Sequence, residues 1–181
     1  MKEFEFCIIA SGLDPESEDF EQRFYDAGCD DATVSFQKGC IIVDFTREAR
    51  SIDEAIVSAM KAVEAAGARV ERIEPDPLVS LSDIAARSGM SRAAMTQYAK
   101  GQRGKQFPPP VARVTSDSPL WDWATVARWL FRNEKISRDA AIEAEVIRAA
   151  NAAAGAPETR LQEIVQRSVR SYEKRLGKNA A

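Results

Sequence analysis

Histidine is absent from the 181 residues, and there are only three cysteines, Cys7, Cys29 and Cys40. Histidine is the commonest general base in enzymes and the commonest protein ligand of metals. The cysteines are too far apart to form a CxxC pair. These absences argue against a zinc site and against most nucleophile–base pairs. They predict reduced, buried thiols in a cytoplasmic protein that holds neither a metal nor another cofactor.

The sequence also lacks any run of about 18 apolar residues, the length that a transmembrane helix needs. Its first residues, MKEFEFCIIASGLD, contain only a short apolar run with acids before it, which favours a β-strand over a signal peptide. We therefore expect no membrane contact. An apolar fraction of 45% and a charged fraction of 29% are ordinary for a globular protein of one large or two small domains.

Acidic residues are missing from the middle of the chain, between Ile84 and Ser116. Residues 1–77 contain 8 basic and 18 acidic residues, a balance of −10, whereas residues 78–135 contain 9 and 4, a balance of +5. Residues 136–181 contain 8 and 6, a balance of +2. A basic segment after a strongly acidic one indicates a nucleic-acid contact confined to the middle of the chain.

The acidic segment has the pattern of alternating strands and helices. Its order, βαββαβ, is that of a ferredoxin-like fold, in which two helices cover one face of a four-stranded antiparallel sheet. Ser51 and Glu54 have the spacing of a capping box at the start of the second helix, which Gly67 ends. The predicted strands are Phe4–Ala10, Ala32–Gln37, Cys40–Thr46 and Arg69–Ile73, and the first predicted helix is Glu16–Ala27.

Two prolines in the segment EPDP, residues 74–77, prevent a helix from continuing and predict a linker. We accordingly divide this α+β chain into an acidic ferredoxin-like module, residues 1–76, a basic module, residues 77–135, and a C-terminal helical pair, residues 136–181. Ser137 is the predicted cap of the first C-terminal helix, and the GAP segment at 155–157 separates the two helices.

The segment Leu81–Lys100 has the spacing of two short helices joined by a turn. Gly89 lies at the turn, where a left-handed backbone favours glycine. A helical corner with a solvated basic face is the alternative, because such corners are common. The predicted inward face of the second helix is Met90, Met95 and Tyr98, and its outward face is Ser91, Arg92, Ala94, Thr96, Gln97 and Lys100, with Ala93 beside it.

The next segment, GQRGKQFPPPVARVTSDSPLWDWATVARWL, predicts a flexible basic loop, a rigid Phe107–Pro110 segment and a short hairpin. The hairpin strands would be Val111–Val114 and Leu120–Trp121, with Thr115–Pro119 as its tip. Asp122 is the predicted cap of the helix that follows. We interpret the three tryptophans as core residues, because Val126 and Trp129 have helical spacing.

The segment from Val79 to Leu130 contains a set of motif residues: Ile84-Ala85, Gly89, Ser91-Arg92, Phe107-Pro108, Pro110-Val111, Trp121 and Val126–Leu130. In these residues it resembles the winged helix-turn-helix of the MerR and excisionase (AlpA)-like superfamily. The order of an acidic N-terminal module, a DAGCDDA turn at Asp26–Ala32 and this winged segment is also similar to that of small bacterial DNA-binding proteins.

This resemblance implies a sequence-specific transcriptional regulator of double-stranded DNA, with helix 91–100 in the major groove and the wing on the DNA backbone or in the minor groove. Arginine can bond a guanine edge and glutamine an adenine edge. The wing tip has an acid, Asp117, and no arginine, which argues against minor-groove insertion. The residues expected to contact bases are Ser91, Arg92, Thr96 and Gln97, and those expected to contact phosphates are Lys100, Arg103, Lys105 and Arg113.

The last helix has an apolar stripe that predicts either packing on its own domain or a homodimer interface. We favour the dimer, because DNA operators usually have two-fold symmetry. The stripe consists of Leu161, Ile164, Val165, Val169, Tyr172 and Leu176.

The acidic module leaves more than one function open. Acylphosphatases share its element order, but they need an arginine in the loop after the first strand and an asparagine on the central hairpin. Here that loop, Ser11–Glu16, is acidic, and no asparagine precedes Asn133, so we expect no enzyme. Two interpretations of the module stay open: it is a structural unit, or it binds a small ligand or a protein partner. The alternative to a regulator is thus a protein-interaction module, such as an antitoxin or a phage-type adaptor, with secondary DNA contact.

Overall fold

The computed structural model describes residues 1–154 and 158–177, a mixed α+β chain that divides into two compact units. One unit comprises Met1–Pro75 and Val146–Arg170, and the other comprises Asp76–Glu145 and the segment from Ser171 onward. The first division falls inside the proline-rich EPDP segment. The C-terminal helices, which the sequence analysis set apart, are shared between the two units, and the predicted break at 155–157 lies outside the described residues.

The first unit contains a four-stranded antiparallel sheet with the strand order β2-β3-β1-β4. Its two-residue turn at Lys38 and Gly39 has positive φ at both residues, 53° and 78°, as a type I′ hairpin requires. The elements of residues 1–75 are β1 (Lys2–Ser11), α1 (Phe20–Asp26), β2 (Ala32–Gln37), β3 (Cys40–Ala49), α2 (Ile52–Ala65) and β4 (Arg69–Glu74).

One face of this sheet packs against α2. Phe6 lies opposite Phe45, and Ile8 lies opposite Val43, and all four side chains are buried. Arg47 lies on the same face of β3, where its Nη1 donates to Ser58 Oγ of α2 at 3.2 Å. Burial of each large apolar side chain here contributes on the order of 1.5–3 kcal/mol.

The first helix of this unit begins later than predicted, and the second begins where predicted but without its predicted capping box. Helix α1 begins at Phe20 and not at Glu16, because Asp14 and Ser17 hold the preceding residues in turns: Ser17 N–H and Oγ both donate to the Asp14 carbonyl. Ser51 does precede α2, but its side chain makes no capping bond. Glu54 instead accepts a long bond, 3.3 Å, from the Arg50 N–H, so the predicted capping box at Ser51 is wrong.

The second unit contains a two-stranded antiparallel ladder and short helices. Its elements are β5 (Leu78–Val79), α3 (Leu81–Ser88), α4 (Arg92–Ala99), β6 (Trp121–Asp122) and α5 (Trp123–Arg132), with parts of the C-terminal helices α6 (Arg138–Ala153) and α7 (Glu158–Gly177). β5 pairs with β6. The Ser137 hydroxyl caps α6 as predicted, since it accepts a bond from the Ala140 N–H.

Aromatic side chains form the centre of this second unit. Trp129 packs edge to face on both Tyr98 and Phe107, with ring centroids 5.0 Å apart in each pair. Trp121, Trp123 and Trp129 are all buried, which confirms the interpretation of the tryptophans as core. Tyr172 of α7 is also buried here, and its hydroxyl donates to the Ala124 carbonyl at 3.0 Å.

The cysteines are free, but burial is complete only for Cys29, whereas Cys7 and Cys40 are half-buried. Burial raises the pKa of the Cys7 thiol to about 12 and that of Cys29 to about 11, so both stay protonated at neutral pH. In the part of the chain that the structure describes, no helix combines the length and apolar character needed to cross a bilayer.

Candidate nucleic-acid interface

Helix α3 begins with a capping box that the sequence analysis did not identify. The Ser80 hydroxyl accepts a bond from the Asp83 N–H at 3.3 Å, and the Asp83 carboxylate accepts one from the Ser80 N–H at 2.8 Å. The Ser80 hydroxyl also donates to the Asp83 carboxylate at 2.6 Å, and this bond together with that from the Ser80 N–H lowers the pKa of Asp83. The signal was present as a serine followed three residues later by an acid. The cap fixes the start of the helix that supports α4.

A tight turn at Gly89 joins α3 to α4. Gly89 has a left-handed conformation, with φ of 67°, and the next N–H, that of Met90, donates back to the Ala85 carbonyl at 3.0 Å. This is the conformation that the sequence predicted for the glycine. Ile84 and Ala85 are buried as expected, and the small Ala85 lets α3 and α4 pack closely.

Ser91 caps the start of helix α4, since its hydroxyl accepts a bond from the Ala94 N–H at 3.2 Å. Met95 and Tyr98 are buried, as predicted for the inward face. Ala94 was expected on the outward face but is buried, and Ala93 is exposed in its place. The exposed face of α4 is therefore shifted by one residue from the predicted face, and it still carries the polar residues that were predicted to contact DNA.

The four predicted base-contacting residues lie on this accessible face of α4. Ser91, Arg92 and Gln97 are exposed, and Thr96 is half-buried. The spacing of residues 92, 96 and 97 brings them to one side of the helix. The Thr96 hydroxyl donates to the Arg92 carbonyl at 3.0 Å, which leaves its methyl group and oxygen lone pairs for contacts outside the helix.

The basic loop after α4 is attached to the aromatic core at several points, which its composition did not predict. The Gln97 carbonyl accepts bonds from the Gln102 and Arg103 N–H groups. The Arg103 guanidinium lies 5.2 Å from the centre of the Tyr98 ring, and the Lys105 carbonyl accepts a bond from the Trp129 indole at 3.0 Å. Because the backbone is held, the exposed side chains of Lys100, Arg103 and Lys105 start from fixed points near the end of α4.

The predicted hairpin at 111–121 is much shorter than expected. Ala112 and Leu120 form a single antiparallel bridge, and Trp121 pairs with Val79 instead of extending the hairpin. Arg113 has a positive φ of 50°, and its carbonyl accepts a bond from the Ser116 N–H, so it starts a turn. The strand therefore cannot continue to Val114. Arg113 is exposed on this hairpin, apart from the seven other predicted DNA-contacting residues, which lie on α4 and its following loop.

Along the chain, the segment from Ile84 to Ser116 contains positive charges and no acid. The nearest acid before the segment, Asp83, is held in the cap of α3, and the nearest after it, Asp117, lies at the exposed hairpin tip. The Asp122 carboxylate accepts the Thr125 N–H at 2.8 Å and caps α5 as predicted. The arrangement therefore offers exposed donors for an anionic partner with little competition from neighbouring carboxylates.

Most side chains of the predicted dimer stripe on α7 are buried by packing within the chain. The exposed fraction of Ile164 is 40%, and Val169 is half-buried. The other four, Leu161, Val165, Tyr172 and Leu176, are buried. In the described conformation these four side chains pack within the chain and are not accessible to a second copy, which leaves only Ile164 and Val169 of the stripe partly accessible.

The acidic module carries an open polar cavity of about 850 Å³ lined by Arg47, Asp30, Asp31, Lys61 and neighbouring residues. Arg47 forms two bonds of 2.7 Å with the Asp31 carboxylate and one of 2.6 Å with the Gly28 carbonyl. With the guanidinium engaged in this way and carboxylates around it, the cavity is poorly suited to hold an anion.

Comparison of the chain with protein-family models, with curated proteins and with solved structures gave no match. The resemblance to MerR and excisionase (AlpA)-like proteins stays a prediction.

Proposed function

We propose that this chain is a sequence-specific DNA-binding protein, a dimeric transcriptional regulator that places α4 in the major groove of double-stranded DNA. The observation that carries the proposal is the exposed face of α4 with Arg92 and Gln97, supported by a capped α3 and a glycine turn. In this proposal the second unit is a winged helix-turn-helix with a short wing, and residues 1–75 form a ferredoxin-like module.

Sequence selection comes from Arg92 and Gln97 in this account. A guanidinium that bonds the O6 and N7 of guanine, or an amide that bonds adenine, discriminates against the wrong base by about 1–3 kcal/mol. Ser91 and Thr96 contribute through hydroxyl contacts to base edges or a neighbouring phosphate. An α-helix fits the width of the major groove, and α4 exposes these side chains in its first and second turns.

Affinity comes mainly from four cations, three of them at the end of α4 and in its following loop and one on the hairpin. Each phosphate that Lys100, Arg103, Lys105 or Arg113 neutralises releases counterions, so contact with four phosphates gives a slope of about −4 in log affinity against log salt. Substitution of any one of them by alanine reduces the slope by about 1 and weakens binding to all sequences to a similar degree. Loss of a base contact weakens only the preferred site.

The experiment is a comparison of two double variants in DNA binding. Arg92→Ala with Gln97→Ala should lose at least tenfold in affinity for the selected site while binding to unrelated DNA changes less, because base contacts are removed. The control, Arg167→Ala with Gln162→Ala, removes the same residue types from exposed positions on α7 and should leave affinity unchanged. Equal affinity of both variants for the selected site would refute the assignment of α4.

The protein-interaction module is the second candidate, and the charge of residues 1–77 favours it. A balance of −10 on that segment suits a basic partner protein better than a nucleic acid. Co-purification of a stoichiometric partner, without selective DNA binding, supports this function over the regulator.

A further inference from the structure

The two edge strands of the four-stranded sheet differ in whether their outward backbone groups have hydrogen-bond partners. At one edge, the Asn151 side chain accepts a bond from the Ile73 N–H at 2.8 Å and donates one to the Ile73 carbonyl at 2.9 Å. It thus bonds to the backbone of β4 at Ile73, as a neighbouring strand would. At the other edge, β2 is paired with β3 alone among the described residues. An edge strand with open backbone groups is a template for pairing with another strand.

The register shows which backbone groups of β2 point outward. Gln37 and Cys40 flank the two-residue turn, and at the far end Thr46 N–H donates to the Asp31 carbonyl. Since the bonds of an antiparallel ladder alternate, residues 31, 33, 35 and 37 bond to β3, and residues 32, 34 and 36 face away from it. The Ala32 N–H already donates to Cys29. The outward N–H and C=O groups of Val34 and Phe36 are therefore the ones offered to a partner.

β2 lacks three of the features that usually protect an edge, namely charged residues, proline and a β-bulge. Its sequence, ATVSFQ, contains no charge and no proline, and its pairing with β3 has no bulge. Phe36 lies opposite the buried Ile41, on the core face of the sheet, yet 47% of Phe36 is exposed. In an acidic module, this uncharged strand is the segment that a second equally acidic chain can approach without direct repulsion.

We propose that β2 is a homodimer interface, in which two copies pair antiparallel about a two-fold axis at Ser35 and form a continuous eight-stranded sheet. This register places Val34 opposite Phe36 of the second copy, and each such pair exchanges two N–H···O bonds. By symmetry the same contacts occur twice, as an isologous interface requires. The proposal does not depend on DNA binding.

Shape and charge favour a second copy as the occupant. Val34 lines a cleft of about 400 Å³ together with Phe24 and Tyr25, and 63% of Tyr25 is exposed. The register brings Phe36 of the second copy to the side of Val34, where that cleft lies. It also places Lys38 of the second copy opposite Ala32, next to the exposed Asp30. Each chain thus supplies Phe36 to the cleft of the other chain, and Lys38 to Asp30 of the other chain.

Sedimentation of the full chain without DNA tests the interface. The wild type should show a concentration-dependent monomer–dimer equilibrium, and Phe36→Asp should raise the dimer dissociation constant at least tenfold, because it buries a charge beside the partner's cleft. The control is Val114→Asp, which changes an apolar residue of similar exposure (62%) on the other unit and should leave the equilibrium unchanged. A wild type that stays monomeric, or a dimer that Phe36→Asp does not weaken, overturns the proposal.

A charge exchange tests the register. Lys38→Glu should weaken the dimer by placing an acid near Asp30 of the second copy, and Lys38→Glu combined with Asp30→Lys should restore it. Failure of the double variant to recover, in a chain with unchanged circular dichroism, contradicts this register.

Amide hydrogen exchange separates a second copy from any other occupant. The N–H groups of Val34 and Phe36 should gain protection as protein concentration rises, while those of Thr33 and Ser35, which bond to β3, stay protected at every concentration. A monomer whose Val34 and Phe36 amides become protected only when an extended peptide is added refutes the homodimer in favour of a foreign strand. DNA binding is measured separately, so its failure leaves this result intact.

Discussion

At the scale of single residues, Gly101 and Gly104 separate the cost of a left-handed backbone from the cost of a steric clash with an added side chain. Both are left-handed, with φ of 68° and 67°. A Cβ on Gly101 would meet no atom within 4 Å, whereas one on Gly104 would lie 2.9 Å from Cε1 of Tyr98. At Gly104, therefore, the backbone of the basic loop lies directly against the Tyr98 ring of α4.

Alanine at each glycine should reveal the difference. Gly101→Ala should lower the free energy of unfolding by about 1 kcal/mol, the cost of a left-handed non-glycine residue. Gly104→Ala should lower it by a further 1–3 kcal/mol or so, because the new methyl group displaces the Tyr98 ring from its packing on Trp129. Urea unfolding of the two variants measures both values. If the two lose equal stability, the close contact between the loop and Tyr98 is wrong.

At the scale of elements, the capping box of α3 links the stability of the second unit to pH. The folded state lowers the pKa of Asp83 below its ordinary value of 3.8 through bonds from Ser80. A carboxylate of this kind stabilises the fold above pH 3.8, and that contribution is lost as the pH falls through the lower pKa of the folded state. The start of α3 is thus expected to loosen only in acid.

Asp83→Ala should cost about 1 kcal/mol of stability at pH 7, as removal of a helix cap usually does. Its deficit relative to the wild type should shrink as the pH falls from 3.8 through the lower pKa of the folded state, where the wild-type carboxylate becomes protonated. Asp117→Ala, at the exposed hairpin tip, is the matched control and should change the melting temperature little at either pH. A deficit that is independent of pH would show that Asp83 acts by packing and not by its charge.

Strands and helices with strong periodicity could be predicted from the sequence, and Ala32–Gln37 was predicted to the residue. The turn at Gly89 was also predictable, because few residues tolerate its backbone conformation. The hairpin at 111–121 was not, since its length depends on Arg113 adopting a positive φ and on Trp121 pairing with the distant Val79.

The candidate site was predictable as a helix face and less so in its surroundings. Ser91, Arg92, Thr96 and Gln97 follow from helical spacing alone, whereas the attachment of the loop to Trp129 is a tertiary contact without a local signal. The stripe on α7 has the same periodicity whether it packs inside the chain or against a second copy. Only the burial of residues such as Val165 and Tyr172 distinguishes these cases.

At the scale of the whole molecule, the chain combines an acidic unit that offers an open strand edge with a basic unit that offers a helix face. In the proposed function the two have separate tasks, since β2 would join two copies and α4 would contact DNA. A dimer that presents two copies of α4 fits an operator with two half-sites, because operator symmetry mirrors protein symmetry. Neither surface involves the residues of the other, so each is open to independent mutation.

Selection of DNA fragments by the purified full chain, followed by affinity measurements on the selected sequence from low to physiological salt, tests whether α4 recognises a DNA sequence. We expect one enriched motif with two related half-sites, binding that persists at physiological salt, and a slope of about −4 in log affinity against log salt for each copy of the unit. Weak binding that disappears with added salt and enriches no sequence would contradict this expectation, and α4 would then be only a basic surface.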